Sequence, residues 1–112
     1  MTATSEDSRQ EKVHATAVAI AGSGVLIRGA SGSGKSDLAL RLIDRGAILI
    51  SDDQVDIVRA DKDLLLSPPP RLAGKLEVRS LGICECNYLS GVTLKMIVDL
   101  KSHPDRFPLD RQ

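Results

Sequence analysis

The sequence predicts a small α/β or α+β domain, several short strands around one helix. Three observations lead there. Short runs rich in Ala, Val, Ile and Leu recur between clusters of Gly, Pro and Asp, as strands and their turns do. A single segment, Lys35 to Arg45, carries apolar residues at helical spacing. At 112 residues the chain is one domain, able to bury only roughly 65 % of the surface its unfolded form exposes.

Residues 1–12 are polar and read as a flexible tail ahead of a domain spanning 13–112. Val13 to Ala21 reads as a buried strand carrying His14, Gly22-Ser23-Gly24 as a turn, and Val25 to Arg28 as a second strand. The short glycine-containing link predicts a hairpin. A glycine-rich loop follows, then the helix. Leu38, Ala39, Leu42 and Ile43 share one face of it, Asp37, Arg41, Asp44 and Arg45 the other, and Gly46 occupies the C-terminal glycine position. Ala47 to Ser51 is a buried strand ending at Asp52-Asp53, and Val55 to Ala60 is the next, closed by a polar turn at Asp61-Lys62-Asp63. Ser67-Pro68-Pro69-Pro70 is a stiff extended connector. Lys75 to Ile83 reads as a loop leading into a strand, Gly91 to Leu100 as a late buried strand, and Lys101 to Gln112 as a polar end.

Composition excludes several functions. Fifteen basic and fifteen acidic residues cancel, so no long-range field draws the chain to nucleic acid or to an anionic membrane. Aromatics amount to Tyr88 and Phe107, too few to stack single-stranded bases. No apolar run is long enough to span a bilayer, and the N-terminus lacks a signal-peptide pattern. Cys84 and Cys86 are too close on an extended segment to bridge, and no second pair completes a metal site. They read as free thiols of a soluble, cytoplasmic protein.

Gly29-Ala30-Ser31-Gly32-Ser33-Gly34-Lys35-Ser36 fits the pattern Gly-x-x-x-x-Gly-Lys-Ser, with an apolar strand before it and an amphipathic helix after. Glycines there allow successive amides to turn inward around phosphate oxygens, and the helix N-terminus adds its dipole. Lys35 can reach the terminal phosphates and the Ser36 hydroxyl can sit on Mg²⁺. The loop therefore predicts binding of a nucleoside triphosphate or a close phosphate relative. Asp52 and Asp53, at the end of the next buried strand, are carboxylates of the kind phosphoryl transfer needs near the metal and near an acceptor hydroxyl. The same Ser-Asp-Asp-Gln sequence would also make an ordinary solvated turn. Spacing alone assigns nothing to His14, Arg71, Glu77 or Arg79.

Val13-His14-Ala15-Thr16-Ala17, the run from Gly24 to Ser36, Leu49 to Asp53, and Leu72 to Ile83 with its Leu76-Glu77-Val78-Arg79-Ser80-Leu81-Gly82-Ile83 block together resemble the catalytic domain of HPr kinase/phosphorylase. The resemblance runs from about Val13 to Asp99 and is to the short form found in alphaproteobacteria. It implies a P-loop fold of the phosphoenolpyruvate carboxykinase-like type, a mixed sheet with one helix following the loop. It implies an ATP-dependent kinase for a serine of an HPr-like phosphocarrier of the bacterial phosphotransferase system, with reverse phosphorolysis and assembly into a homo-oligomer. By position, Gly29 to Ser36 would hold ATP, with Ser36, Asp52 and Glu77 at Mg²⁺. Asp53 would exchange the proton of the acceptor serine, Lys35 would neutralise the moving phosphoryl group, His14 would assist, and Arg79 would serve both directions. Asp37, Ser51 and Ser80 depart from the family pattern by small changes. The resemblance also implies that a C-terminal part carrying another catalytic arginine is missing.

Two other readings compete: a P-loop kinase for a small metabolite, and a module that senses nucleotide without transferring phosphate.

Overall fold

The computed structural model describes residues 10–78 and 81–101. In chain order these form β1 (Gln10–Val13), β2 (Ala15–Ile20), β3 (Ser23–Arg28), α1 (Lys35–Asp44), β4 (Ile48–Ser51), β5 (Val55–Ala60) and β6 (Asp63–Ser67). A turn of 3-10 helix at Pro70–Leu72 leads to β7 (Lys75–Val78), β8 (Gly82–Glu85) and β9 (Val92–Asp99).

Seven strands make one sheet in the order β1-β5-β6-β9-β3-β2-β4, and β7 with β8 forms a separate hairpin. Every pairing is antiparallel except β3 with β9, so the sheet is mixed. β1 leads straight into β2 through His14, although the two strands stand first and sixth in the order. The sheet therefore curls back on itself. Among the described residues the result is a mixed α/β fold with one α-helix.

Alternation along the strands divides the core. Ala15, Ala17 and Ala19 of β2 face the inside of the curl with Leu26, Ile50, Val55, Leu66 and Val92. Val18, Val25 and Ile27 face the other way and meet Ala39 of α1, with Leu38, Leu42 and Ile43 packed around them. The helical face expected from the sequence is the face that packs. Alanines on the concave side leave room for the strands to close up.

Several sequence expectations need correction. Residues 10–12 are not tail: β1 pairs with β5 from Gln10↔Val58 to Val13↔Val55. Its stability there comes from backbone bonds and from Lys12 Nζ donating to the buried Asp56 carboxylate at 3.1 Å, neither of which hydropathy registers. The expected strand from Val13 to Ala21 is interrupted at His14, which sits in the bend. Asp63 opens β6, which the sequence reading missed and which pairs with β5 across the turn at Asp61. Lys75 to Ile83 contains two strands rather than a loop and one strand. β9 is only half-buried, with Met96 and Ile97 exposed. No helix among the described residues is long and apolar enough to cross a membrane.

Candidate functional site

The link from β3 to α1 is the Gly29–Ser36 loop, and its geometry follows from its residue types. A Cβ on Gly29 would collide with the Ser33 hydroxyl and lie 2.9 Å from the Leu100 carbonyl oxygen, so only glycine fits against the end of β9. Gly34 caps α1 in the left-handed region at φ 99, with open space where a side chain would be. It brings no side-chain acceptor to the first-turn amides, which leaves that acceptor role to a ligand. Ser33 Oγ is buried and, among the described residues, has no hydrogen-bond partner. A buried hydroxyl left so is costly unless something supplies its bond. Open glycine backbone, an unpartnered hydroxyl and an uncapped helix start together fit a polyphosphate.

Lys35 is buried at the first position of α1, and its ammonium donates to the carbonyls of Gly29 at 2.8 Å and Ala30 at 3.1 Å. The cation is thereby held inside the loop.

Asp52 is the hub of the site. It lies just past β4 and is buried. Its Oδ1 accepts from the Ser36 hydroxyl at 2.7 Å and from the Thr16 hydroxyl at 2.9 Å, while Oδ2 accepts from the Glu77 amide at 3.1 Å. Helix α1, strand β2 and strand β7 thus converge on one carboxylate. A register shift in the β2–β4 ladder makes this possible. Val18 pairs with Leu49 but Ala17 pairs with Ser51, which leaves Ile50 as an extra residue. A bulge of this kind re-aims the side chains beyond it. Without it, each side chain beyond Ile50 would turn to the other face of the sheet.

Asp53 turns the other way. Its φ of 78 places it in the left-handed region, and its side chain is 70 % exposed, 3.5 Å from the 61 %-exposed His14 ring at Nε2. The bend between β1 and β2 that interrupts the expected strand is what brings His14 to this point. The cleft around these groups is lined by Thr16, Ser31, Gly32, Gly34, Lys35, Ser36, Asp37, Asp52, Asp53 and Glu77.

Of the predicted loop residues, Ser31, Gly32, Gly34, Lys35 and Ser36 share one cleft with Asp52, Asp53 and Glu77, while Gly29, Ala30 and Ser33 do not line it and His14 stands beside Asp53. Arg79 lies outside the described residues. Sequence reasoning missed Thr16, whose Ala15-Thr16-Ala17-Val18 setting reads as plain strand. Cys84 and Cys86 are free thiols, as expected, and burial chiefly, with the neighbouring Cys84 and Asp52, pushes the Cys86 thiol up from its ordinary value.

Comparison with known proteins agrees with the geometry. The family model described as HPr Serine kinase C-terminal domain matches residues 6–110. The HPr kinase/phosphorylases of Burkholderia lata and Burkholderia cenocepacia are each 43 % identical to the chain over 112 residues, 89 % of this chain and 35 % of theirs. The chain therefore spans about a third of the length of these curated relatives. The solved Hpr(Ser) kinase/phosphatase from Coxiella burnetii matches with a TM-score of 0.77 at 29 % identity, over 88 % of this chain and 70 % of that one. By its sequence, its fold and the match along nearly its whole length, the chain belongs to the HPr serine kinase C-terminal domain family.

Proposed function

We propose that this chain is the catalytic unit of an ATP-dependent protein-serine kinase acting on an HPr-like phosphocarrier, built on a P-loop fold of the phosphoenolpyruvate carboxykinase-like type. The observation that carries the proposal is the 2.7 Å bond between Ser36 of the loop and the buried Asp52, with Asp53 exposed beside it. It joins a phosphate cradle to two carboxylates in different environments, one enclosed and one open.

In this reading Gly29, Ala30, Ser31, Gly32, Ser33 and Gly34 wrap the phosphates with backbone amides, and the α1 N-terminus faces them. The Lys35 ammonium transfers its hydrogen bonds from the Gly29 and Ala30 carbonyls to phosphoryl oxygens. Asp53 accepts the proton of the acceptor serine as its hydroxyl oxygen bonds to the terminal phosphorus and the bond to the ADP oxygen breaks. In phosphorolysis an oxygen of inorganic phosphate bonds to the phosphorus as the serine O–P bond breaks, pyrophosphate leaves, and the same carboxyl gives its proton to the serine oxygen. His14, 3.5 Å from Asp53, orients that carboxylate.

Ser36, Asp52 and Glu77 offer hard oxygen donors suited to Mg²⁺. Among the described residues no three His, Cys, Asp or Glu side chains group closely enough to hold an ion alone. That suits a cation whose remaining ligands are water and phosphate oxygens. Magnesium bound there would offset charge on the phosphates.

The openness of the site favours a protein acceptor over a small metabolite. With Asp53 and His14 both at the rim, a serine on a folded surface can reach the carboxylate, whereas a metabolite kinase must enclose its substrate. Incubating the chain with ATP, Mg²⁺ and a phosphocarrier should label one serine. The Asp53→Asn protein should label about 100-fold more slowly or worse. Equal labelling by the two proteins would remove Asp53 from the reaction, and no labelling of any phosphocarrier despite tight ATP binding would point to a nucleotide sensor instead.

A further inference from the structure

The Thr16 hydroxyl has no part in the roles assigned above, yet it sits at the centre of the site. Thr16 is fully buried on β2, between Ala15 and Ala17 that face the concave core and two residues before Val18 that packs toward α1. Valine would fill the same volume there at no cost in packing, so the oxygen needs its own explanation. A buried hydroxyl is tolerated only where it is hydrogen-bonded, and both bonding capacities of this one are directed at the two aspartates. It donates to Asp52 Oδ1 at 2.9 Å and stands 3.5 Å from the Asp53 amide as an acceptor.

We propose that Thr16 is a positioning residue that sets the Asp52 carboxylate for the cation. The inference rests on the nucleotide-binding reading of the cleft. Asp52 Oδ1 receives two hydroxyl protons, from Thr16 and Ser36, while Oδ2 receives one amide proton from Glu77. A carboxylate oxygen has two lone-pair directions in its plane. Thr16 fills one of those on Oδ1 from the rigid side, a strand paired on both its edges, and Ser36 fills the other from the side of the glycine-rich loop. The carboxylate plane is thereby fixed, and Oδ2, bonded only to the Glu77 amide among the described residues, keeps capacity for a further partner. With Thr16 removed, Asp52 keeps Ser36 and Glu77 as partners but is free to turn about them. Its alignment with the Ser36 oxygen would then be lost, and with it the pair of oxygens that would hold a cation. Groups that orient a metal's ligands without touching the metal typically change its affinity by about 10- to 100-fold.

The role separates from a structural one because it acts through the cation. The phosphates alone are held by loop amides and Lys35, which Thr16 does not touch. Titration calorimetry on the chain, with ATP plus Mg²⁺ and with ATP in EDTA, tests this using Thr16→Val and Thr16→Ser. Thr16→Val should weaken binding of ATP with Mg²⁺ about tenfold and leave binding in EDTA within about twofold. Thr16→Ser, which keeps the hydroxyl, should restore most of the magnesium-dependent affinity. Equal weakening in both conditions would show a general structural defect and overturn the proposal, as would an unchanged response to Mg²⁺ or a Ser variant as impaired as Val. An unmodified chain that binds ATP in neither condition would overturn the nucleotide-binding reading itself, and this proposal with it.

Discussion

Asp53 is held where an aspartate is not at ease. At φ 78 it occupies a region that costs an L-residue about 1–2 kcal/mol, and its exposed side chain gains no packing in return. Strain of this kind persists where the surrounding structure imposes it, here the bulge at Ile50 and the anchored neighbour Asp52. Because the side chain is exposed, the backbone term can be measured almost alone. Asp53→Gly should be more stable than Asp53→Ala by about 1 kcal/mol, the part of the left-handed penalty that survives glycine's greater unfolded-state entropy. Urea unfolding of the two variants gives the number, and equal stabilities would mean that the turn relaxes when the aspartate is removed. At this scale the sequence was legible where chemistry follows a fixed spacing. Lys35, Ser36, Asp52 and Asp53 were all readable as a loop and a strand end. Thr16 was not, because threonine is an ordinary strand former and only the ladder register reveals what it faces. Nor could spacing decide between Asp52-Asp53 as a site and as a solvated turn; burial of the first and exposure of the second show only that the pair is not a uniformly solvated turn.

The loop and helix form the second scale, and Gly34 is their junction. Its left-handed backbone lets the chain enter α1 with first-turn amides facing the cleft, and nothing lies within 4 Å of where a Cβ would be. Gly34→Ala therefore introduces no collision, only backbone strain of about 1–2 kcal/mol. If the chain relieves that strain by reshaping the loop, ATP affinity should fall by at least about tenfold, the equivalent of 1.4 kcal/mol. Denaturant unfolding and nucleotide titration on the same variant read both quantities. A loss of neither would mean that the loop is not held in this conformation. The helix and the two strands flanking the loop were legible because their apolar periods are long enough to distinguish. The strands that escaped share a different origin. β1 is a polar edge strand held by β5 and by the Lys12–Asp56 pair, while Leu64 and Leu65 of β6 are only partly covered. The β7–β8 hairpin stands outside the main sheet, with Leu81 and Ile83 largely exposed. Pairing, more than apolar alternation, makes the strands in these places: β1 with β5 far along the chain, β6 with β5 next to it, and β7 with β8 across a short turn.

At the scale of the whole molecule, β9 holds the curled sheet together. Its first residues pair with β6, at Val92↔Leu66 and Thr93↔Leu65, and the rest runs parallel to β3 as far as Asp99↔Arg28. The last rung lies directly before the glycine-rich loop: Leu100 donates its amide to the Arg28 carbonyl at 2.7 Å, and Gly29 backs onto Leu100. There Arg28 grips Asp99 through two bonds, Nε to Oδ1 at 2.7 Å and Nη2 to Oδ2 at 3.0 Å. The hydrogen bond to the guanidinium holds the Asp99 carboxyl below its ordinary value, the charges of Arg28 and Lys101 adding to it. Asp99 in turn raises Arg28, which stays charged across the working range. Both side chains are exposed, so the pair contributes little in absolute terms and is screened by salt. Its sign is nonetheless definite. A carboxyl depressed in the folded state adds stability above its unfolded pKa, and that increment disappears as pH falls through the lower, folded value. The chain should therefore melt slightly above its Asp99→Asn variant at neutral pH and low salt. The gap should narrow as the pH drops below the usual aspartate range, and close in stronger acid. Thermal unfolding across that range, repeated at high salt, measures it. A gap that is independent of both pH and salt would mean that Asp99 secures the β3–β9 rung by shape rather than by charge.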